Sequence, residues 1–111
     1  MKILFVENHA VFARVVTDNF LQEHQVTIAT CVAEAIKAFN TKEYDVTLVD
    51  YDLDDGKGAE LVQAIRIRGM PVKVVGVSAH ELGNSEMLRV GADAICGKMQ
   101  FEKITEVLDT L

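Results

Sequence analysis

Val46-Thr47-Leu48-Val49-Asp50-Tyr51-Asp52-Leu53-Asp54-Asp55-Gly56 is the stretch on which the fold turns. A short apolar run ends abruptly in the most acidic segment of the chain. The run, a strand over residues 45–49, shows no regular polar alternation. It suits a strand covered on both faces, as in a parallel sheet lying between helices. In such sheets the chemistry gathers beyond the C-terminal ends of the strands. Asp50 stands at that end.

The same pattern recurs on either side. Toward the N-terminus, residues 2–6 read as a strand and 10–23 as a helix, with Val11, Val15 and Phe12, Val16, Phe20 at helical spacing. Residues 25–30 read as a strand, and 32–41 as a helix with Val32, Ala35, Ile36 and Phe39 on one face. Toward the C-terminus, 59–68 is a helix placing Leu61, Val62 and Ile65 inward, with Gly69 as its stop. Residues 72–77 form a strand introduced by Pro71, the only proline, and 84–90 a short helix that Gly91 ends. Residues 94–96 are a strand and 101–111 a closing helix with Ile104, Val107 and Leu108 inward.

Five strand–helix units in succession predict an α/β fold over residues 1–111, one domain. The natural architecture is a doubly wound five-stranded parallel sheet, (βα)5, in flavodoxin-like order 2-1-3-4-5. Strands one and three are then neighbours, so Glu7-Asn8 and Asp50 face each other across the crevice. Asp54-Asp55-Gly56-Lys57-Gly58 looks like an anion-holding nest but lacks the spacing of a phosphate-binding loop. It reads as a flexible loop before the third helix. Met87, Leu88, Ile95 and Phe101 read as core.

A chain of 111 residues holds one core. Its 11 basic and 17 acidic residues give a formal net charge of −6, which argues against binding of nucleic acid or an anionic membrane, since both reward a basic surface. No apolar run approaches the ~20 residues of a membrane span. Met1-Lys2 leads directly into a strand without a signal peptide, so a cytoplasmic protein is expected. Cys31 and Cys96 have no clustered Cys or His beside them and read as reduced packing residues.

Four strand ends carry polar groups: Glu7-Asn8, Asp50, Ser78 and Lys98. Carboxylates brought together repel unless a cation sits between them. Glu7, Asn8, Asp50 and Asp52 make a hard, oxygen-rich site suited to Mg²⁺. A carboxylate can also attack phosphorus to form an aspartyl phosphate. Lys98, the metal and the Ser78 hydroxyl can each meet one phosphoryl oxygen.

With those residues the chain resembles a response-regulator receiver domain of the CheY-like superfamily, over its whole length. Glu7-Asn8 falls on the family's acidic pair, Asp50 on its phosphoacceptor, Ser78 followed by Ala79 on its switch hydroxyl, and Lys98 on its lysine. Gly58 matches a glycine opening the third helix. Asn8-His9 with Phe12 and Arg14 is similar to the start of the first helix in regulators of DNA-binding type, and Gly91-Ala92-Asp93-Ala94 to the turn before the fifth strand. The resemblance implies Mg²⁺ held by Glu7, Asn8, Asp50 and the backbone carbonyl of Asp52. It implies a sensor histidine kinase or phosphotransfer protein as phosphoryl donor, a downstream protein target, and no direct nucleic-acid contact by this domain. It leaves a homodimer open. Receivers are not enzymes beyond slow self-catalysed phosphorylation and dephosphorylation.

Four positions depart from the family pattern. Asn8 replaces a charged metal ligand, which implies weaker metal binding and slower phosphorylation; the Asp52 side chain could restore some charge. Met99 replaces the usual proline after the lysine, Ile95 an aromatic residue, and Asp54 a common proline.

Plainer roles stand beside these: a strand-end cap for Asp50, an N-cap for Asn8, a helix-dipole charge for Glu7, a turn residue for Ser78, a solvated lysine for Lys98. His80 is read first as a surface histidine over the mouth of the site, and second as a group steering a hydrolytic water; His9 and His24 are surface histidines. Two other functions are carried forward. One is a degenerate receiver that binds a partner without phosphorylation. The other is a haloacid-dehalogenase-like phosphatase, suggested by Asp50-x-Asp52, although that family carries the motif on its first strand. Output is expected through protein contact, unless further domains lie beyond the fifth helix.

Overall fold

The strands and helices follow one another in the expected alternation, with one addition. A computed structural model describes every residue from Met1 to Leu111. The elements are β1 (Lys2–Val6), α1 (Ala10–Phe20), β2 (Gln25–Ala29), α2 (Val32–Thr41), β3 (Val46–Asp50), β4 (Asp52–Leu53), β5 (Gly56–Lys57), α3 (Gly58–Ile67), β6 (Lys73–Ser78), α4 (Glu81–Arg89), β7 (Ala94–Gly97) and α5 (Ile104–Asp109). A 3-10 helix over Lys98–Lys103 precedes α5. Five strands form one parallel sheet in the order β2-β1-β3-β6-β7. With those five numbered in sequence, this is the predicted order 2-1-3-4-5.

Every residue of the central β3 is buried, as a strand covered on both faces must be. Successive side chains point to opposite faces and so feed two separate cores. Ile3, Phe5, Leu48, Val75 and Val77 pack with Ala13 and Val16 of α1 and with Phe101, Ile104 and Leu108. Leu4, Val6, Val49 and Val74 pack with Ala35 of α2, Leu61, Val62 and Ile65 of α3, and Met87 of α4. The Thr47 hydroxyl donates to the Leu4 carbonyl at 2.9 Å, so the one polar side chain within β3's apolar run is satisfied across the sheet.

The added element is a hairpin. The segment expected to be a flexible loop after β3 pairs Asp52 with Lys57 and Leu53 with Gly56, antiparallel, and buries Leu53. Asp55 then accepts the backbone N–H groups of Val32 and Ala33 at 2.8 and 3.0 Å, capping α2 from a distance. That cap satisfies two orphan donors, and the hydrogen bonds hold the Asp55 carboxyl below its usual range.

Other boundaries moved for local reasons. α1 stops at Phe20, because Leu21 turns inward and is buried. Its outward face carries Val11 and Val15, both exposed. α4 starts at Glu81, three residues ahead of the expected Asn84, in a turn without apolar periodicity. The closing helix is tightened to 3-10 over 98–103, with a kink at Gln100. Phe101 anchors that turn by stacking on Phe5, ring centroids 5.5 Å apart. Met87 and Phe101 are core as expected, but Leu88 and Ile95 lie at the surface. Cys31 and Cys96 are free.

Arg66 clasps the lower right of the sheet. It donates to the carbonyls of Gly91 (2.8 Å) and Val72 (3.0 Å) and pairs with Asp93 (2.6 Å). Asp93 in turn accepts the Val74 N–H at 2.8 Å. Gly91 adopts φ +119°, a conformation that favours glycine.

Candidate functional site

Parallel pairing of β1 with β3 and of β3 with β6 brings the ends of the three strands together. Glu7 follows β1 and is wholly buried. Its Oε2 accepts the His9 N–H at 3.0 Å, and its Oε1 meets Lys98 Nζ at 2.8 Å. Asp50, the last residue of β3, is 5 % exposed. Its Oδ1 accepts the Tyr51 N–H at 3.0 Å, and its Oδ2 lies 3.6 Å from Lys98 Nζ. One ammonium therefore serves two buried carboxylates, and sits closer to Glu7. Phe12 roofs the lysine, with Nζ 4.8 Å from the ring centroid.

Burial first, and the Glu7 charge second, push the Asp50 carboxyl up to about 6, against the pull of Lys98. This is the expected signature of an acid held for chemistry in a cleft.

Ser78 ends β6 and is buried, and its Oγ accepts the His80 N–H at 3.1 Å. It makes no bond to Asp50. His80 is exposed at the mouth and begins α4 as its N-cap. Asp50, Ser78, Lys98, Asn8, Asp52 and His80 all line one cleft of about 600 Å³. A hollow of about 620 Å³ opens at the opposite end of the sheet, but Glu43 and Asp45 there are exposed.

Two sequence expectations need correction. Asn8 does not cap α1: His9 holds that position, without a side-chain bond. The Asn8 Nδ2 donates to Asp54 Oδ1 at 3.4 Å, while its Oδ1 is buried without a partner. The Asp52 carboxylate pairs with Lys57 in the hairpin, so its charge is neutralised there rather than given to the cleft. Gly58 opens α3 as expected: a Cβ there would lie 2.1 Å from the Asp50 carbonyl oxygen. Sequence reasoning missed Phe12 as the lysine's roof and Asn84, whose Nδ2 donates to the Ser78 carbonyl at 3.2 Å. Nothing in the local sequence around Asn84 signals that role.

A family model of the response regulator receiver domain matches residues 3–109. The chain belongs to that family. Receivers act in two-component signalling, are generally phosphoacceptors rather than enzymes, and generally bind Mg²⁺. The match assigns the chain to the receivers and not to the haloacid-dehalogenase-like family. The sensor histidine kinase RcsC of Salmonella typhimurium is 29 % identical over 101 residues, covering 88 % of this chain and 11 % of that protein. RcsC of Escherichia coli (strain K12) is 28 % identical over the same share. This receiver thus spans about a tenth of the length of the curated relatives it matches. The receiver domain of the Francisella response regulator 1452 superposes with a TM-score of 0.87 at 22 % identity, over 98 % of this chain and 93 % of that one. The response regulator TrrA of Thermotoga maritima, in complex with Mg²⁺ and BeF, superposes with a TM-score of 0.87 at 23 % identity, over 98 % and 96 %. A CheY-like receiver of Methanospirillum hungatei JF-1 is 26 % identical with a TM-score of 0.80, over 98 % and 94 %. No helix of the receiver is long and apolar enough to cross a membrane.

Proposed function

We propose that this receiver accepts a phosphoryl group on Asp50 from a phosphohistidine of a sensor histidine kinase or phosphotransfer protein. The observation that carries this is the buried Glu7–Lys98–Asp50 triad, of which Asp50 and Lys98 line an open cleft. An Asp50 carboxylate oxygen attacks phosphorus, the O–P bond forms, the N–P bond to the donor histidine breaks, and the histidine nitrogen leaves with its electron pair. Lys98 moves its contact from Glu7 toward the transferred group and stabilises the charge there. Ser78 gives up the His80 N–H and turns its hydroxyl to a phosphoryl oxygen.

The residues present fit Mg²⁺. The donor set is hard oxygen: Glu7, Asp50, the backbone carbonyl of Asp52 and the Asn8 Oδ1, a buried acceptor that has no partner within the protein. The ion neutralises phosphoryl charge when bound. Asn8 contributes no charge, so binding is weaker than with a carboxylate there.

The exposed Leu82 and Leu88 on α4 and Ile95 on β7 are apolar contacts available to a downstream protein. A homodimer through them is one form such a contact could take. His80 stands where it can modulate hydrolysis. The cytoplasm, where such kinases present their phosphohistidine, is the setting. A second reading, partner binding without phosphorylation, is favoured by the neutral Asn8 and by the capture of Asp52 by Lys57.

Intact-protein mass after incubation with acetyl phosphate and Mg²⁺ separates the two. One added phosphoryl group, absent in Asp50→Asn, is expected. A folded protein that gains none at any Mg²⁺ concentration leaves only the second reading.

A further inference from the structure

Two of the four departures from the family pattern meet each other in space. Asn8 Nδ2 donates to Asp54 Oδ1 at 3.4 Å, across 46 positions of the chain. A primary amide has a donor end and an acceptor end, and exchanging them would set the Asn8 oxygen against the Asp54 carboxylate. The contact commits the nitrogen to the hairpin and leaves the oxygen as the free atom of the amide. That Oδ1 is buried without a partner, on a residue that lines the cleft with Asp50. An unpartnered buried acceptor is costly, and a hard cation in the cleft would relieve it. The reverse orientation would offer a cation two N–H donors, which repel it.

Asp54 can hold an amide because its own turn is held. On one side Leu53 is buried and pairs with Gly56. On the other Asp55 accepts the Val32 and Ala33 N–H groups at 2.8 and 3.0 Å. The Gly58 N–H closes the base of the hairpin on the Tyr51 carbonyl at 2.6 Å. The Asp54 side chain itself is exposed. A proline at this position would offer no side-chain acceptor, and a carboxylate in place of the Asn8 amide would be repelled by Asp54.

We propose that Asp54 is a positioning residue that turns the Asn8 amide oxygen toward the cation site, so that a neutral side chain serves there as a ligand. This rests on the Mg²⁺ reading of the cleft above. Asp54 acts through Asn8 and is not itself a ligand.

Asp54→Asn and Asp54→Leu test it, because both remove one charge and only the first keeps an acceptor oxygen. The side chain is exposed, so both variants are expected to fold. Calorimetry of the full chain with Mg²⁺ alone is expected to show about fivefold weaker binding in Asp54→Leu than in Asp54→Asn. In an Asn8→Asp background there is no amide to orient, and the two are expected to bind Mg²⁺ equally. Equal affinities with Asn8 in place would leave only the charge of Asp54 and overturn the proposal. A difference that persists with Asn8→Asp would make Asp54 a direct ligand and overturn it as well. NMR of the metal-free protein reads the contact itself. The Asn8 side-chain amide signals are expected to move in Asp54→Leu and to stay near their wild-type place in Asp54→Asn; unmoved signals in Asp54→Leu would show that no such bond holds the amide. Absence of Mg²⁺ binding by the wild type would instead overturn the cation reading, with the amide signals still reporting whether Asp54 orients Asn8.

Discussion

Glu7 and Asp50 are buried and share one ammonium, whereas Asp52, Asp54 and Asp55 of the neighbouring hairpin are exposed and each has a partner of its own. Asp52 holds Lys57, Asp54 receives the Asn8 amide, and Asp55 caps α2. Asp50 sits among the hairpin acids in sequence but belongs with Glu7 in space. A charge shared by two acids in a buried site can be redistributed when a phosphoryl group or a cation arrives. Charges tied one to one at the surface serve as scaffolding.

The sharpest break of this contrast is Lys98→Met. It leaves Glu7 buried without its cation, and removing one partner of a buried pair costs roughly 3–5 kcal/mol. Since Lys98 is 16 % exposed, about 3 kcal/mol is expected in urea denaturation, with most of it recovered in the double variant with Glu7→Gln. No loss in Lys98→Met would show that the shared cation is not what holds Glu7.

Next is the pH response of the metal-free protein. The Asp50 carboxyl is raised to about 6 in the fold, above its ordinary value of 3.8. Between those values the folded state keeps a proton that the unfolded chain has lost. The stability from this group is full below pH ~4 and is lost as pH rises through about 6. About 2–3 kcal/mol is at stake. Asp50→Asn is expected to flatten this part of the pH profile and to stabilise the protein at neutral pH. An unchanged profile in the variant would assign the pH dependence elsewhere.

Asn8→Asp moves a charge from the hairpin's style of pairing toward the shared site. Mg²⁺ affinity by calorimetry is expected to rise about tenfold, equivalent to about 1.4 kcal/mol. Unchanged affinity would mean that the amide is not the weak ligand.

The smallest effect belongs to the scaffold. Asp55→Ala removes a cap from α2 and is expected to lower the urea midpoint slightly while leaving phosphorylation of Asp50 unchanged. A loss of phosphorylation would merge the two regions.

The sheet and its order were legible because β1, β3 and β6 are near-continuous apolar runs, and no other fold buries such strands so simply. The positions of Glu7, Asp50, Ser78 and Lys98 at strand ends followed from that order. The hairpin was not legible: Asp52 and Leu53 are too few to show a period, and the pairing depends on Lys57 crossing to Asp52. The fate of Asn8 was equally hidden, since its neighbour Asp54 lies 46 residues away in sequence. α4 was misplaced at its start because its first turn is held by Ser78 and His80 rather than by an apolar stripe.

The Arg66 clasp has a mechanical meaning once both ends of α4 are considered. Arg66 bonds to the Gly91 carbonyl just beyond the helix and fixes that end to α3 and the sheet. The other end rests on Ser78. The nine residues of α4 make a rod about 13 Å long, tied by Arg66 just beyond one end and by Asn84 to Ser78 at the other. A shift of about 1 Å at the Ser78 end tilts such a rod by roughly 4°. In such a tilt Leu82, in the first turn, would sweep most of the arc, and Leu88, next to the Arg66 contact, the smaller part of it. A partner gripping Leu82 would sense such a tilt more than one gripping Leu88.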